Sequence, residues 1–157
     1  NPYLYFEHKA LYRSLSGDVP EGSYTTEVGK AAIAKEGADI TIVTYGMGVH
    51  WALDLANEHE SSIEIIDLRT LLPWDKETVE ASVRKTGRAL ILHEDCLTGG
   101  IGGEISAHIS EHCFESLDAP VLRVASLDTP VPFAADLERN FLPKERLVEK
   151  VNQLLSY

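Results

Sequence analysis

The chain has 157 residues, 44% hydrophobic and 25% charged, the size and balance of a single globular domain with one core. Its 25 acidic residues against 14 basic ones leave a formal net charge of −11, a surface that repels phosphate backbones and attracts basic protein modules. Nucleic acid is therefore excluded as an expected partner, and the apolar runs are too short to make a membrane one.

No basic-then-apolar leader opens the chain, which begins apolar at "NPYLYFEHK", as a piece of a longer polypeptide would. Residues 2–7 read as a short strand and 9–28 as a linker, with Gly, Pro, Ser and scattered charge. A regular pattern starts near residue 30. Strands are predicted at 31–34 ("AAIA") and 39–46 ("DITIVTYG"), then a helix over 47–60 with Val49, Ala52, Leu53 and Ala56 inward. Residues 62–68 ("SIEIIDL") form the next strand. A helix over 75–87 takes Asp75 as its cap, Val79 and Val83 inward and Gly87 as its stop. A strand at 88–94 ("RALILHE") leads to a helix over 101–116 with Ile101, Ile105 and Ile109 on one stripe. The last strand is 120–126. A helix over 143–157 starts at Pro143 and buries Leu147, Val151, Leu154 and Leu155. Strands alternating with helices at this spacing predict a parallel α/β sheet covered on both faces. The stretch 129–143 carries Val131, Pro132, Phe133, Phe141 and Leu142 outside any predicted element; these side chains either pack beneath their own loop or meet a partner subunit.

Several stretches imitate ligand motifs. "TYGMGVHW" (44–51) follows a strand, with Asp67 about 20 residues on as a ribose-binding acid would be, but Trp51 takes the third glycine's place. "GGIGGEI" likewise loses its third glycine, at Ile105 counted from Gly100, and no phosphate-loop lysine motif exists. An independent dinucleotide-binding module thus remains the alternative function, and tight turns explain the glycines without a ligand. "HISEH" (108–112) has the spacing of an inverted zinc-peptidase motif, with His108 and His112 as ligands and Glu111 as base. It lacks a third ligand, and a polar helix flank accounts for it. His93 ends a parallel strand, where ligands often bind, yet a lone histidine there is more often structural. Cys96 and Cys113 form no spaced pair; they read as small core or surface residues in a reducing compartment.

"EGADITIVTYGMGVHWALDLA", "IEIIDLRTLLPWDKETVEASVRKTGRALILHED", "TGGIGGEISAHI" and "LDAPVLRVASLDTPVPF" follow one another in a known order. They resemble the carboxy-terminal, transketolase-like domain of the β subunit of 2-oxo-acid dehydrogenase decarboxylases. "HED-x-x-x-TGG" and "YFEHKALYR" are more similar to the branched-chain enzyme than to the pyruvate enzyme. The likeness covers essentially the whole chain, and "DLRTLLPWD…KTGR" is its most specific part.

The resemblance implies a three-layer α/β/α domain. Its five-stranded sheet has order 1-3-2-4-5, with the first strand antiparallel to four parallel ones. It implies that residues 1–12 end a preceding pyrimidine-binding domain, 13–28 form a linker and 29–157 form the transketolase C-terminal-like domain. The parent enzyme would decarboxylate a branched-chain 2-oxo acid with thiamine diphosphate and magnesium and pass the acyl group to a lipoyl arm. It would lie in the cytoplasm of a bacterium or the mitochondrial matrix of a eukaryote. The family's cofactor-activating glutamate and catalytic histidine lie in the preceding domain, and its α subunit holds diphosphate and magnesium. No catalytic, cofactor-binding or metal residue is thus expected in this chain, and the glycine-rich loop is a structural connection. The implied partners are an α subunit, a second β subunit and the subunit-binding domain of the dihydrolipoyl acyltransferase. The last of these would be gripped by Asp118 in "LDAP" and by the carboxylate of Tyr157 if that residue ends the native chain.

Overall fold

The computed structural model describes residues 2–157. Five short runs rich in isoleucine, leucine and valine form one sheet: β1 (Ala32–Lys35), β2 (Ile40–Thr44), β3 (Ile63–Asp67), β4 (Ala89–Cys96) and β5 (Leu122–Ser126). Its order is β1-β3-β2-β4-β5. β1 runs antiparallel to β3, and the other three pairings are parallel. Both the fold class and the strand order are those expected. Among the described residues the helices are α1 (Leu11–Ser14), α2 (Met47–Glu58), α3 (Lys76–Thr86), α4 (Gly102–His112), α5 (Ala135–Phe141) and α6 (Lys144–Leu155).

Every residue of β2 is buried, because a central parallel strand is covered on both faces. Alternate side chains divide between two cores. Ile40, Ile42, Ile63, Ile65, Leu90 and Leu92 face α2 and α6, where they meet Trp51, Ala52, Leu147, Val151 and Leu154. Val43, Ile66, Ala89 and Ile91 face α3 and α4, where they meet Val79, Val83, Ile105 and Ile109. These faces make the three layers.

Local chemistry sets the helix ends. Asp75 accepts the Thr78 N–H at 3.2 Å and the Thr78 hydroxyl at 2.8 Å, capping α3. The same carboxylate accepts the Ala31 N–H at 3.0 Å and so ties the approach to β1 to this helix. Gly87 closes α3 in the left-handed region at φ 69°, where a side chain is disfavoured. Glu64, buried on β3, receives hydrogen bonds from Ser82 and Lys85 of α3 and from the Gly37 N–H. Burial pushes its carboxyl up, but these donors outweigh burial and hold it below the usual range.

Four local readings change. Residues 2–7 form no strand; Tyr3, Leu4, Tyr5 and Phe6 are exposed, since an extended segment becomes a strand only when another strand takes its backbone hydrogen bonds. Within the linker stretch, 11–14 make one helical turn. The helix expected over 101–116 ends at His112, and 114–116 continue as a 3₁₀ turn. Residues 135–141 form α5, which has no apolar stripe of its own and buries only Phe141. Tertiary bonds hold it: Leu127 N–H donates to the Phe141 carbonyl at 3.2 Å, and the Arg146 guanidinium donates to the Asn140, Phe141 and Ala125 carbonyls. The apolar residues of 129–143 divide accordingly. Phe141 is buried and Leu142 half-buried, as is Pro132, while Val131 and Phe133 are exposed.

Candidate functional site

The chain leaves β2 toward β3 on one side and returns to β4 on the other, so the strand order reverses between β2 and β4. Ligands of open α/β sheets bind at the carboxyl ends of such strands. Here that position is a crevice of about 390 Å³ lined by Tyr45, Glu94, Asp95, Cys96 and Glu138, with Val131, Phe141 and Leu142 as its apolar part. Three carboxylates and no cation line it, so a phosphate or diphosphate would be repelled. Burial, then Asp95 and Glu94, raise the Tyr45 phenol above its ordinary range. His8 of the amino-terminal arm lies 2.8 Å from the Glu94 carboxylate and so tethers the arm at this rim.

His93 does not end its strand, which runs on to Cys96. It follows the alternation of Ala89 and Ile91 and points toward the layer of α3 and α4. Its ring is fully buried, stacks near Tyr45 at a centroid distance of 6.5 Å, and has no hydrogen-bond partner on either nitrogen among the described residues. Burial lowers its pKa, with the Asp95 charge opposing. Burial thus works against the charged imidazolium.

The glycine-rich loop closes over that ring. A Cβ at Gly100 would lie 2.5 Å from His93 Cε1, and one at Gly102 would lie 2.5 Å from His93 Nε2. Both glycines therefore permit close packing. A carboxylate of the chain itself holds the start of the loop: Asp128 accepts the Thr98 N–H at 2.8 Å and the Thr98 hydroxyl at 2.7 Å. These bonds, the backbone one first, lower its pKa. A carboxylate there would oppose a bound diphosphate, and Glu104 adds a second acid in the first turn of α4.

The other imitation also resolves into packing. At the first fingerprint Trp51 is buried in the core against the sheet, and an Asp67 oxygen accepts its own turn's Arg69 N–H at 3.1 Å. In "HISEH", His108 Nε2 lies 2.9 Å from Glu80 Oε1 and edge-on to both Trp74 and His112. Among the described residues no group of three His, Cys, Asp or Glu side chains could hold a metal ion. Cys113 is buried and Cys96 half-buried, both as free thiols. Sequence reasoning missed Asp128, whose contact with the loop spans 30 residues. The alternation through Ala89, Ile91 and His93 was the available signal for the imidazole's direction.

Asp118 and Tyr157 lie at the opposite end of the sheet. The Asp118 N–H donates to the Gly87 carbonyl at 2.8 Å, just before β4 begins. α6 reaches the same end: Asn152 meets His59, the residue that closes α2, at 3.1 Å. Both side chains point to solvent, Asp118 with 66% of its side chain exposed and Tyr157 exposed by 62%. Arg88 is 3.9 Å from the Asp118 carboxylate.

A three-layer α/β/α sheet of this order, with Gly100 and Gly102 packed on a buried strand histidine, defines a domain of the transketolase carboxy-terminal type. The profile described as "Transketolase, C-terminal domain" matches residues 29–148, and the chain belongs to that family. It is 47% identical, over its whole length and 44% of the relative's, to 2-oxoisovalerate dehydrogenase subunit beta 2, mitochondrial, of Arabidopsis thaliana. It is 44% identical, over 95% of the chain and 47% of the relative, to the 2-oxoisovalerate dehydrogenase subunit beta of Bacillus subtilis. It is also 44% identical, over its whole length and 49% of the relative, to a pyruvate dehydrogenase E1 component subunit beta of Staphylococcus aureus. The chain spans about half the length of these curated relatives. Among solved structures, a split-gene transketolase superposes with a TM-score of 0.69 at 28% identity, covering 89% of this chain and 46% of that one. A 2-oxoglutarate:ferredoxin oxidoreductase from Magnetococcus marinus shares the fold at a TM-score of 0.50 and 14% identity, covering 80% of this chain and 19% of that one. Among the described residues no helix is long and apolar enough to cross a membrane.

Proposed function

We propose that this chain is the carboxy-terminal part of the β subunit of a thiamine-diphosphate-dependent branched-chain 2-oxo-acid dehydrogenase. Residues 1–12 end the preceding pyrimidine-binding domain, 13–28 link, and 29–157 form the assembly and docking domain. The observation that carries the reading is the 47% identity to a 2-oxoisovalerate dehydrogenase β subunit along the whole chain. In the parent enzyme a branched-chain 2-oxo acid is decarboxylated and its acyl group passes to a lipoyl arm. This domain contributes no catalytic side chain; it packs with an α subunit and a second β subunit and docks the acyltransferase's subunit-binding domain. The exposure of Asp118 and Tyr157 at one end of the sheet supports that docking role, and the acidic surface steers a basic partner. A eukaryotic parent would work in the mitochondrial matrix and a bacterial one in the cytoplasm.

The 44% identity to a pyruvate dehydrogenase β subunit supports pyruvate as the second reading for substrate. Steady-state decarboxylation by the full-length β subunit reconstituted with its α subunit decides between them. A higher kcat/KM for 2-oxoisovalerate is expected, and a higher one for pyruvate refutes the branched-chain assignment. The chain of residues 1–157 alone, given thiamine diphosphate and magnesium, is expected to show no turnover; measurable turnover refutes the assembly role. For docking, Asp118→Ala and an extension beyond Tyr157 should each weaken binding of the subunit-binding domain to the heterotetramer by about 1–3 kcal/mol. Unchanged affinity for both variants removes the assigned contacts.

A further inference from the structure

His93 is fully buried, and neither ring nitrogen has a hydrogen-bond partner among the described residues. A buried polar side chain left unpaired costs stability, and an apolar residue of similar size would avoid that cost. Glycines cover the ring. A methyl on Gly100 would lie 2.5 Å from His93 Cε1, and one on Gly102 would lie 2.5 Å from Nε2. Gly102 opens α4, so the imidazole also lies against the positive end of a helix dipole.

The groups around the ring do not compensate a cation there. Asp95 on the same strand favours it through its carboxylate and its carbonyl, but that side chain is exposed and its field is screened. Arg123 on β5 opposes it; its Nη1 donates to the Leu97 carbonyl at 3.2 Å. Tyr45 on β2 keeps its proton, since burial raises its phenol. Glu104 in the first turn of α4 is exposed. Glu94 and Cys96 line the crevice beside Tyr45, and Glu94 already meets His8. The start of the loop is anchored separately. Asp128 accepts both Thr98 donors, and the Leu97 N–H donates to the Ser126 carbonyl at 3.1 Å. The Thr98 bonds lower the Asp128 pKa, so this anchor stays ionised through the range in which an imidazole titrates. Gly99, at φ 80°, follows the anchor and lets the backbone pivot without a Cβ penalty.

We propose that residues 99–103 form an acid-triggered lid over His93: protonation of the imidazole lifts the glycine loop and the first turn of α4 off the ring, with Thr98 as the fixed end. Above about pH 6.5, the ordinary histidine range, the ring is neutral whether the lid is open or shut. The lid then stays shut. As pH falls below that value the open state takes the proton first, because burial lowers the pKa of the covered ring. Opening then gains up to about tenfold per pH unit, until the covered ring titrates as well.

Hydrogen exchange of the whole chain, read amide by amide by NMR across the histidine range, tests this. Protection factors remove the chemical pH dependence of exchange itself. The Gly103 and Ile105 N–H groups donate to the Gly100 and Ile101 carbonyls, each at 3.1 Å. They are expected to be less protected than the Thr41 N–H, which donates to the Arg88 carbonyl at 2.8 Å within the sheet. Below about pH 6.5 they should lose up to about tenfold protection per pH unit. The Leu97 N–H, behind the anchor, should not follow them. His93→Gln and His93→Leu remove the titration, and protection at Gly103 and Ile105 should then be flat in pH. A flat profile at these amides in the wild-type chain overturns the proposal, and so does a slope that survives both His93 substitutions. Loss of protection at Thr41 in step with Gly103 and Ile105 assigns the effect to global unfolding, which overturns the lid as well.

Discussion

Gly102→Ala would test whether the glycine loop exists to admit His93. The new methyl would lie 2.5 Å from His93 Nε2, 2.7 Å from its Cδ2 and 3.2 Å from Ile91 Cγ2. Relief to ordinary contact needs a shift of about 1 Å, and the ring is fully buried. Such overpacking costs about 1–3 kcal/mol, against a helix-propensity gain of at most about 1 kcal/mol for alanine. The single variant should therefore lose roughly 0.5–2 kcal/mol of stability. In a His93→Ala background the ring clash is gone and only the 3.2 Å approach to Ile91 Cγ2 is left, so most of the cost of Gly102→Ala should disappear. Urea unfolding of the four proteins, with matching m-values, gives the coupling directly, expected at about 1–3 kcal/mol. Gly100→Ala provides the contrast. Its methyl would also strike the Cys96 carbonyl at 2.5 Å, a backbone group that His93→Ala does not remove, so its cost should persist in both backgrounds. Equal destabilisation by Gly102→Ala with and without the imidazole would refute the packing argument.

Asp75→Ala removes both the cap of α3 and the tie to Ala31, and urea unfolding should show a loss of about 1–2 kcal/mol. Burial raises the Asp75 pKa, but the Ala31 and Thr78 donors outweigh it and the net direction is down. Its stabilisation is therefore present above the ordinary aspartate range and lost as pH falls through the depressed folded value. That acid-side loss should be smaller in Asp75→Ala. Burial also depresses the His93 pKa, so the unfolded chain binds the extra proton first and stability should fall as pH drops below about 6.5. His93→Gln should flatten that part of the pH–stability curve, and an unchanged curve would assign the effect to another group. Calorimetric titration of the chain with NAD and with thiamine diphosphate should give no binding heat, because Asp128 and Glu104 set two carboxylates at the loop; saturable heat from either would overturn that argument.

Much of this domain is legible from short-range pattern. Short apolar runs and 3.6-residue stripes locate the five strands and the helices α2, α3, α4 and α6. Asp75 and Gly87 mark the ends of α3, because capping and left-handed turns are settled within a few residues. The glycine stretches show the limit of that reading. "GGIGG" resembles a phosphate cradle in sequence, and only the fold reveals that Gly100 and Gly102 close on His93 while Asp128 bonds to Thr98 at the start of the loop. Those partners are separated along the chain, so no local spacing encodes their approach. The same reason hides α5, whose backbone is held by Arg146 rather than by an apolar stripe, and leaves residues 2–7 without a strand, since pairing depends on a partner. Asp118 and Tyr157 come to one end of the sheet only because successive helices run back against parallel strands, a consequence of topology that no single segment contains.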